Sequence, residues 1–249
     1  MGRNLVVGDV HGMYDRLISA LSSAGFNPAE DVLYAVGDFC DRGPDSVKVL
    51  DYLMELPHFL PVMGNHDMWL YEYLCGRGPA PIWLDPRNGG MITYNAIKNM
   101  DSEKKAKIRQ WLGSLPLVRE YENSIILHAG PPCGVKDEHS LLRLTDGMTL
   151  EKAFRIKSFT GSYISIVNDS VWNRDYIRVA MKREVESGNE EDYFMMPFET
   201  DKTIICGHTP LDRVFHSDKY HITCIDTGSF AADGHITVMD LDSGKQYSS

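Results

Sequence analysis

Leu5-Val6-Val7-Gly8-Asp9-Val10-His11-Gly12 decides how the chain folds. A short apolar run stops at a glycine and hands over to an acid and a histidine. Val32-Leu33-Tyr34-Ala35-Val36-Gly37-Asp38 repeats the pattern, and Phe59-Leu60-Pro61-Val62-Met63-Gly64-Asn65-His66 repeats it again. Runs this short, ended by turn residues, predict buried strands. After each polar loop the spacing becomes helical. Met13–Ala24 places Leu17, Ile18 and Leu21 on one face and stops at Gly25. A segment opened by Pro44 does the same with Val47, Leu50, Leu53 and Met54, and His66–Leu74 follows the third loop. Proline is tolerated in a first helical turn because its missing N–H has no partner there anyway. Strand, loop and helix, three times over, predict an α/β architecture. Ligands in such sheets gather at the carboxyl ends of the strands, where all three polar loops lie.

Farther along, Ser124–Leu127 predicts a fourth strand, ending at His128, and Thr203–Cys206 a fifth, ending at Gly207-His208. Residues 213–217, 220–226 and 235–241 read as closing strands. Residues 77–115 carry turn signals followed by helical periodicity, and Tyr176–Val185 is helical. Residues 131–170 show no clear period. Glu184–Asp192 holds five acidic residues around a Ser-Gly-Asn turn and reads as a solvated loop.

The composition fits this frame. A chain of 249 residues with 43% hydrophobic content buries a core for one large domain. The net charge of −10 opposes a broad surface that tracks nucleic-acid phosphates. The five cysteines form no CxxC pair, which argues against a zinc–thiolate site or a disulfide framework. No apolar run approaches the roughly 18 residues of a membrane span. The expectation is a cytoplasmic protein with neither a nucleic-acid nor a membrane partner; its oligomeric state is left open.

Taken together, the strand ends offer Asp9 with His11, Asp38 with Asp41 and Arg42, Asn65 with His66, then His128 and His208. Each has a plain structural alternative. Asp9 could cap a helix, Asp41-Arg42 could be a loop ion pair, and a lone histidine after a strand is usually a satisfied core residue. Five strand ends would then each have to bury a polar cluster for unrelated reasons, at several kcal/mol apiece when unpaired. Oxygen and imidazole donors without thiolates suit two divalent ions, manganese foremost, with iron or zinc also fitting. A pair of ions ~3.5–4 Å apart clamps a phosphate for in-line displacement.

Gly8-Asp9-Val10-His11-Gly12, Gly37-Asp38 through Asp41-Arg42-Gly43 and Gly64-Asn65-His66-Asp67 resemble the three signature blocks of the calcineurin-like metallophosphoesterases. His128-Ala129-Gly130, Trp172-Asn173-Arg174-Asp175, Gly207-His208-Thr209-Pro210 and Ile225-Asp226-Thr227-Gly228 extend the likeness. It is strongest to the phosphoprotein phosphatase branch, in particular the bacterial and phage lambda phosphatase group. The resemblance implies a four-layer αββα sandwich with mixed sheets and metals at the strand ends. It implies one ion held by Asp9, His11 and Asp38 and a second by Asp38, Asn65, His128 and His208. It further implies Arg42 and Arg174 on the phosphate, together with Asn65, His66 as the acid for the leaving oxygen, and Asp41 orienting His66. Trp172 is expected to anchor Arg174. Two departures stand out. Asp67 replaces the glutamate common in that branch, and the span from His128 to Arg174 is long, so residues 133–170 are expected to form a cap.

On this reading the chain hydrolyses phosphate monoesters, as a serine/threonine protein phosphatase acting on a phosphorylated protein, peptide or small phosphoester. A sister activity, hydrolysis of diadenosine tetraphosphate, is the alternative. Asp41 tips the expectation toward the phosphatase. An inactive metal-binding scaffold is the third reading, opposed by the full set of donors.

Overall fold

The computed structural model describes residues 2–185 and 198–249. Two five-stranded mixed sheets face each other. The first holds β1 (Asn4–Val7), β2 (Val32–Ala35), β3 (Phe59–Pro61), β9 (Thr237–Asp240) and β10 (Gln246–Ser248), in the order β10-β9-β1-β2-β3. The second holds β4 (Val118–Tyr121), β5 (Ser124–Leu127), β6 (Thr203–Cys206), β7 (Phe215–Ser217) and β8 (Ile222–Cys224), in the order β4-β5-β6-β8-β7. Strands β1, β2 and β3 run parallel, as do β5, β6 and β8.

Strand alternation explains the layering, since successive side chains point to opposite faces of a sheet. Val6, Tyr34, Ile126 and Ile205 meet in the seam between the sheets with Val36, Val62, Ile225 and Met239. Their neighbours turn outward. Leu5, Val7, Leu33 and Ala35 pack under helices α1 (Tyr14–Ser23), α2 (Ser46–Glu55), α3 (Asn65–Leu74) and α6 (Ser102–Ser114). Ile125, Leu127, Ile204 and Cys206 pack under α10 (Asp175–Val185) through Tyr176, Ile177 and Ala180. Helix, sheet, sheet and helix give the αββα sandwich, and the apolar runs are nearly unbroken because both faces of each central strand are covered.

Three details differ from the sequence reading. Pro44 does not open α2; the helix begins at Ser46 after Asp45. The strand at Ser124 is preceded by β4, whose Arg119 and Glu120 hid it by breaking the apolar pattern. Residues 131–170 form α7 (Glu138–Thr145), α8 (Leu150–Thr160) and α9 (Ser165–Trp172). The first two are capped by side chains, Asp137 accepting from Ser140 N and Thr149 from Lys152 N. Leu141 is buried in the core under the second sheet, while Leu150, Ala153, Val167 and Val171 are buried in the core over the first. The main chain of Leu117 and Leu150 ties this segment to the body through bonds to Met148 O and Leu115 O. Most of the acidic stretch Glu184–Asp192 lies outside the described residues.

Candidate active site

Six parallel strands end side by side, and each end delivers a buried polar group: Asp9 after β1, Asp38 after β2, Asn65 after β3, His128 after β5, His208 after β6 and Asp226 after β8. All six are at most 4% exposed. Glycines let them close in. A Cβ on Gly64 would lie 2.1 Å from Asp38 Oδ1, and one on Gly207 would lie 1.9 Å from Asp9 Oδ1. The loops are bent to match. Among the described residues, seven non-glycine residues have positive φ, and five of them are His11, Asp38, Asp41, Arg42 and His208. Such backbone costs of order 1–3 kcal/mol per residue and persists where the surroundings impose it, commonly at functional sites.

The side chains converge on Asp38. Its Oδ2 lies 3.3 Å from His128 Nε2, 3.7 Å from His11 Nε2 and 4.0 Å from His66 Nε2. Asp38 Oδ1 accepts the main-chain N–H of His66 at 2.9 Å. His128 Nε2 is 2.9 Å from Asn65 Oδ1, and its Nδ1 is 2.7 Å from Val36 O. His11 Nδ1 lies 3.1 Å from Cys40 O, which turns Nε2 into the site. Asp9 accepts the His208 N–H at 3.0 Å. Two groups place potential ligand atoms within 4.8 Å of one another: His11, Asp38 and His66, and Asp38, His128 and His208. The first contains His66 where the sequence reading has Asp9.

Electrostatics make this a place for cations. Burial, then the carboxylates of Asp226 and Asp38, hold Asp9 well above the usual carboxylate range. Asp226 is pushed up to about 6, chiefly by burial. Burial also raises Asp38, but His128, His66 and His11 outweigh it and hold it well below its ordinary value. His208 is held well below the usual imidazole value by burial, then by His128 and Arg174. His11 is lowered likewise, by burial, then by Arg42 and His66. A neutral imidazole keeps a lone pair to give. His208 Nε2 and Asp226 Oδ2 are buried without a hydrogen-bond partner. Crowded carboxylates, neutral imidazoles and orphaned donor atoms fit divalent cations.

Around this centre sit the remaining predicted residues. His66 Nδ1 is 2.6 Å from Asp41 Oδ2. Arg42 reaches His11 Nε2 at 2.6 Å and His66 Nε2 at 3.3 Å. Arg174 donates through Nε and Nη2 to His208 O, at 3.3 and 2.9 Å. All ten predicted residues therefore occupy one site. Trp172 packs edge-on to Trp69 and His208, so the anchor of Arg174 is the His208 carbonyl rather than the indole.

Several contributors escaped the sequence reading. Trp83 donates its indole N–H to Asp41 Oδ2 at 2.7 Å. Asp67, met there only as a departure from a pattern, accepts from the main-chain N–H groups of Gly64, Asp38 and Phe39, and so fastens the second and third loops together. Its carboxyl is pushed up to about 7, mainly by burial and then by Asp38. Phe230 lies against Arg42 and His11. Asp226 sat in a quoted motif without a role. A buried acid after an apolar run, the signal used for Asp9 and Asp38, would have found it.

Residues 2–224 match the model of the calcineurin-like phosphoesterases. The chain belongs to that family. Membership makes it a metallophosphoesterase-type hydrolase and implies divalent metals. A symmetrical bis(5'-nucleosyl)-tetraphosphatase of Coxiella burnetii is 33% identical over 181 residues, covering 70% of this chain and 58% of the relative. One of Aeromonas salmonicida is 35% identical over 130 residues, covering 51% of this chain and 44% of the relative. The chain thus spans about half the length of the curated relatives it matches. Among solved structures, one provisionally assigned as a diadenosine tetraphosphatase superposes with TM-score 0.61 at 20% identity, covering all of this chain and 93% of the other. A serine/threonine phosphatase of Saccharomyces cerevisiae gives TM-score 0.61 at 14% identity, covering 96% and 73%. At these identities the likeness is one of fold. The curated relatives carry the name of the sister activity rather than that of a protein phosphatase.

Proposed function

We propose that the chain is a metal-dependent hydrolase of dinucleoside polyphosphates. The observation that carries this is the 33% identity, across 70% of the chain, to a relative named for that reaction. Asp9, His11 and Asp38 would hold one divalent ion, and Asp38, Asn65, His128 and His208 the other, with manganese, iron or zinc all compatible with the donors. Bound ions would supply Lewis-acid polarisation of the phosphoryl group.

The chain's own residues do the rest. Arg42 and Arg174 bring guanidinium groups to opposite sides of the centre, Arg42 over His11 and His66 and Arg174 at His208, where they bind phosphoryl oxygens. With Nδ1 held by Asp41, His66 presents Nε2 to the site and protonates the departing oxygen. Asp41 fixes the tautomer and stabilises the imidazolium, and Trp83 fixes Asp41.

The pair His66–Asp41 also favours a second reading, hydrolysis of phosphoserine-type monoesters. A serine alkoxide leaves poorly and needs a proton, whereas a nucleoside diphosphate leaves readily. Turnover of diadenosine tetraphosphate, a phosphoserine peptide and p-nitrophenyl phosphate by the manganese-loaded protein separates the two. The proposal expects diadenosine tetraphosphate to give two molecules of ADP at the highest kcat/KM. Turnover of the phosphopeptide with the dinucleotide left intact would overturn it in favour of the second reading.

A further inference from the structure

Arg16 lies on α1, outside the cluster of donors, yet its guanidinium reaches the loop after Asp226. Nη1 donates to Ser229 O at 2.5 Å and to Ala231 O at 2.8 Å, and Nη2 to Ala232 O at 3.2 Å. Three carbonyls on one side chain is an uncommon investment for a surface helix. The loop is otherwise closed at its neck, by His235 N to Thr227 O and Thr227 Oγ1 to His235 O, and within itself by Ala231 N to Gly228 O and Gly234 N to Ala231 O; it begins with Gly228 at φ 66°. Its tip carries Phe230, which is 38% exposed although it is large and apolar. The Arg42 guanidinium lies 4.2 Å from the centroid of that ring, and the His11 ring meets it edge-on at 5.4 Å. Arg42 needs this support. Its Nε is buried without a hydrogen-bond partner, and its Nη1 and Nη2 bond to imidazoles, which attract a cation weakly.

We infer that Arg16 is a positioning residue for phosphate binding: it holds the 228–232 loop so that Phe230 seats the Arg42 guanidinium over the centre. The chain of contact runs from α1 through three carbonyls to an aromatic ring and then to the group that meets the phosphate. The inference rests on Arg42 binding phosphate, which both substrate readings share, and does not depend on which ester is cut.

A double-mutant cycle on the manganese-loaded protein tests it, with inorganic phosphate as the probe in calorimetry and p-nitrophenyl phosphate as the substrate. Losing a cation–π seat weakens phosphate binding roughly two- to fivefold. Phe230→Ala and Arg16→Ala should each raise the phosphate Kd and the KM by that factor with kcat nearly unchanged. The pair together should cost no more than Phe230→Ala alone, because both act through the same ring. Arg16→Lys, which keeps a donor at that point, should recover part of the loss. Additive losses in the double variant, or a drop in kcat without a change in phosphate affinity, would overturn the inference. So would an Arg16→Ala protein that melts lower yet binds phosphate as tightly as the parent, since Arg16 would then serve only the loop's stability. If the parent binds phosphate but turns over neither diadenosine tetraphosphate nor phosphopeptide, the substrate proposal fails while this one stands.

Discussion

Replacing Asp41 by asparagine removes one negative charge and almost nothing else. Both donors to the side chain, His66 Nδ1 and Trp83 Nε1, go to Oδ2, so an amide oxygen can stay where Oδ2 is and keep both bonds. The amide nitrogen falls at Oδ1, which is buried without a partner. What changes is the charge facing the imidazole as it exchanges its proton with the leaving oxygen. A hydrogen bond to a charged group is worth ~1.5–3 kcal/mol against ~0.5–1.5 kcal/mol for a neutral one, so keeping the bond and losing the charge costs about 1–1.5 kcal/mol. At ~1.4 kcal/mol per factor of ten, the expected loss in kcat is roughly 5- to 12-fold for a phosphoserine peptide. For p-nitrophenyl phosphate, whose leaving group departs without a proton, the change should stay within about threefold. The cost on diadenosine tetraphosphate should lie near the nitrophenyl value, because a nucleoside diphosphate is also a competent leaving group. The assay is kcat on the three substrates with metal content measured alongside. Equal losses on all three at unchanged metal content would refute the role of His66 as the acid, leaving it to position phosphate or the attacking water.

Asp38→Asn should release metal and abolish turnover, because three histidine side chains approach one carboxylate; elemental analysis after dialysis checks it. Arg174→Ala should weaken inhibition by free phosphate by roughly tenfold or more at constant metal content, since a charge-assisted contact is lost. Asp31 tests a structural ion pair. Burial raises its carboxyl, but hydrogen bonds from the Arg3 side chain and main chain outweigh this, and the net shift is downward. A depressed carboxylate contributes stability above its unfolded value near ~3.9 that is lost as pH falls through the folded value, so the Tm gap between parent and Asp31→Asn should be open at neutral pH and close in acid. Excising residues 137–165 should give an unfolded product by circular dichroism, because Leu141, Leu150 and Ala153 are buried in the cores on both sides.

The sequence disclosed the site better than it disclosed the frame around it. Asp9, Asp38 and His128 were readable because each follows an uninterrupted apolar run, and such runs arise only where both faces of a strand are covered. β4 was hidden because it sits at an edge, where Glu120 faces solvent and Arg119 turns inward to donate to Pro61 O. The helices of 131–170 were hidden because each buries only one or two apolar side chains, Leu141 in α7, Leu150 and Ala153 in α8, Val167 and Val171 in α9, too few to mark a period. Of the supports of the acid, Trp83 and the Thr93 hydroxyl on the Asp41 N–H come from distant segments, the Ser46 hydroxyl from the start of α2, and no local pattern announces them. The substrate was not legible for a different reason. A single acidic residue in a loop says how a proton is handled, and substrates of more than one kind need that.

The donors come from both sheets: Asp9, Asp38 and Asn65 from the first, His128 and His208 from the second. An ion held between them is a bolt through the seam of the sandwich, and the work of binding it is also work against separating the halves. Metal should therefore raise the Tm and slow hydrogen exchange in β1 and β6 together. During synthesis the socket is incomplete until His208 has emerged. Before that, the donors after β1, β2 and β3 face His128 alone across the seam, and the nascent chain lacks the last donor of the binuclear site.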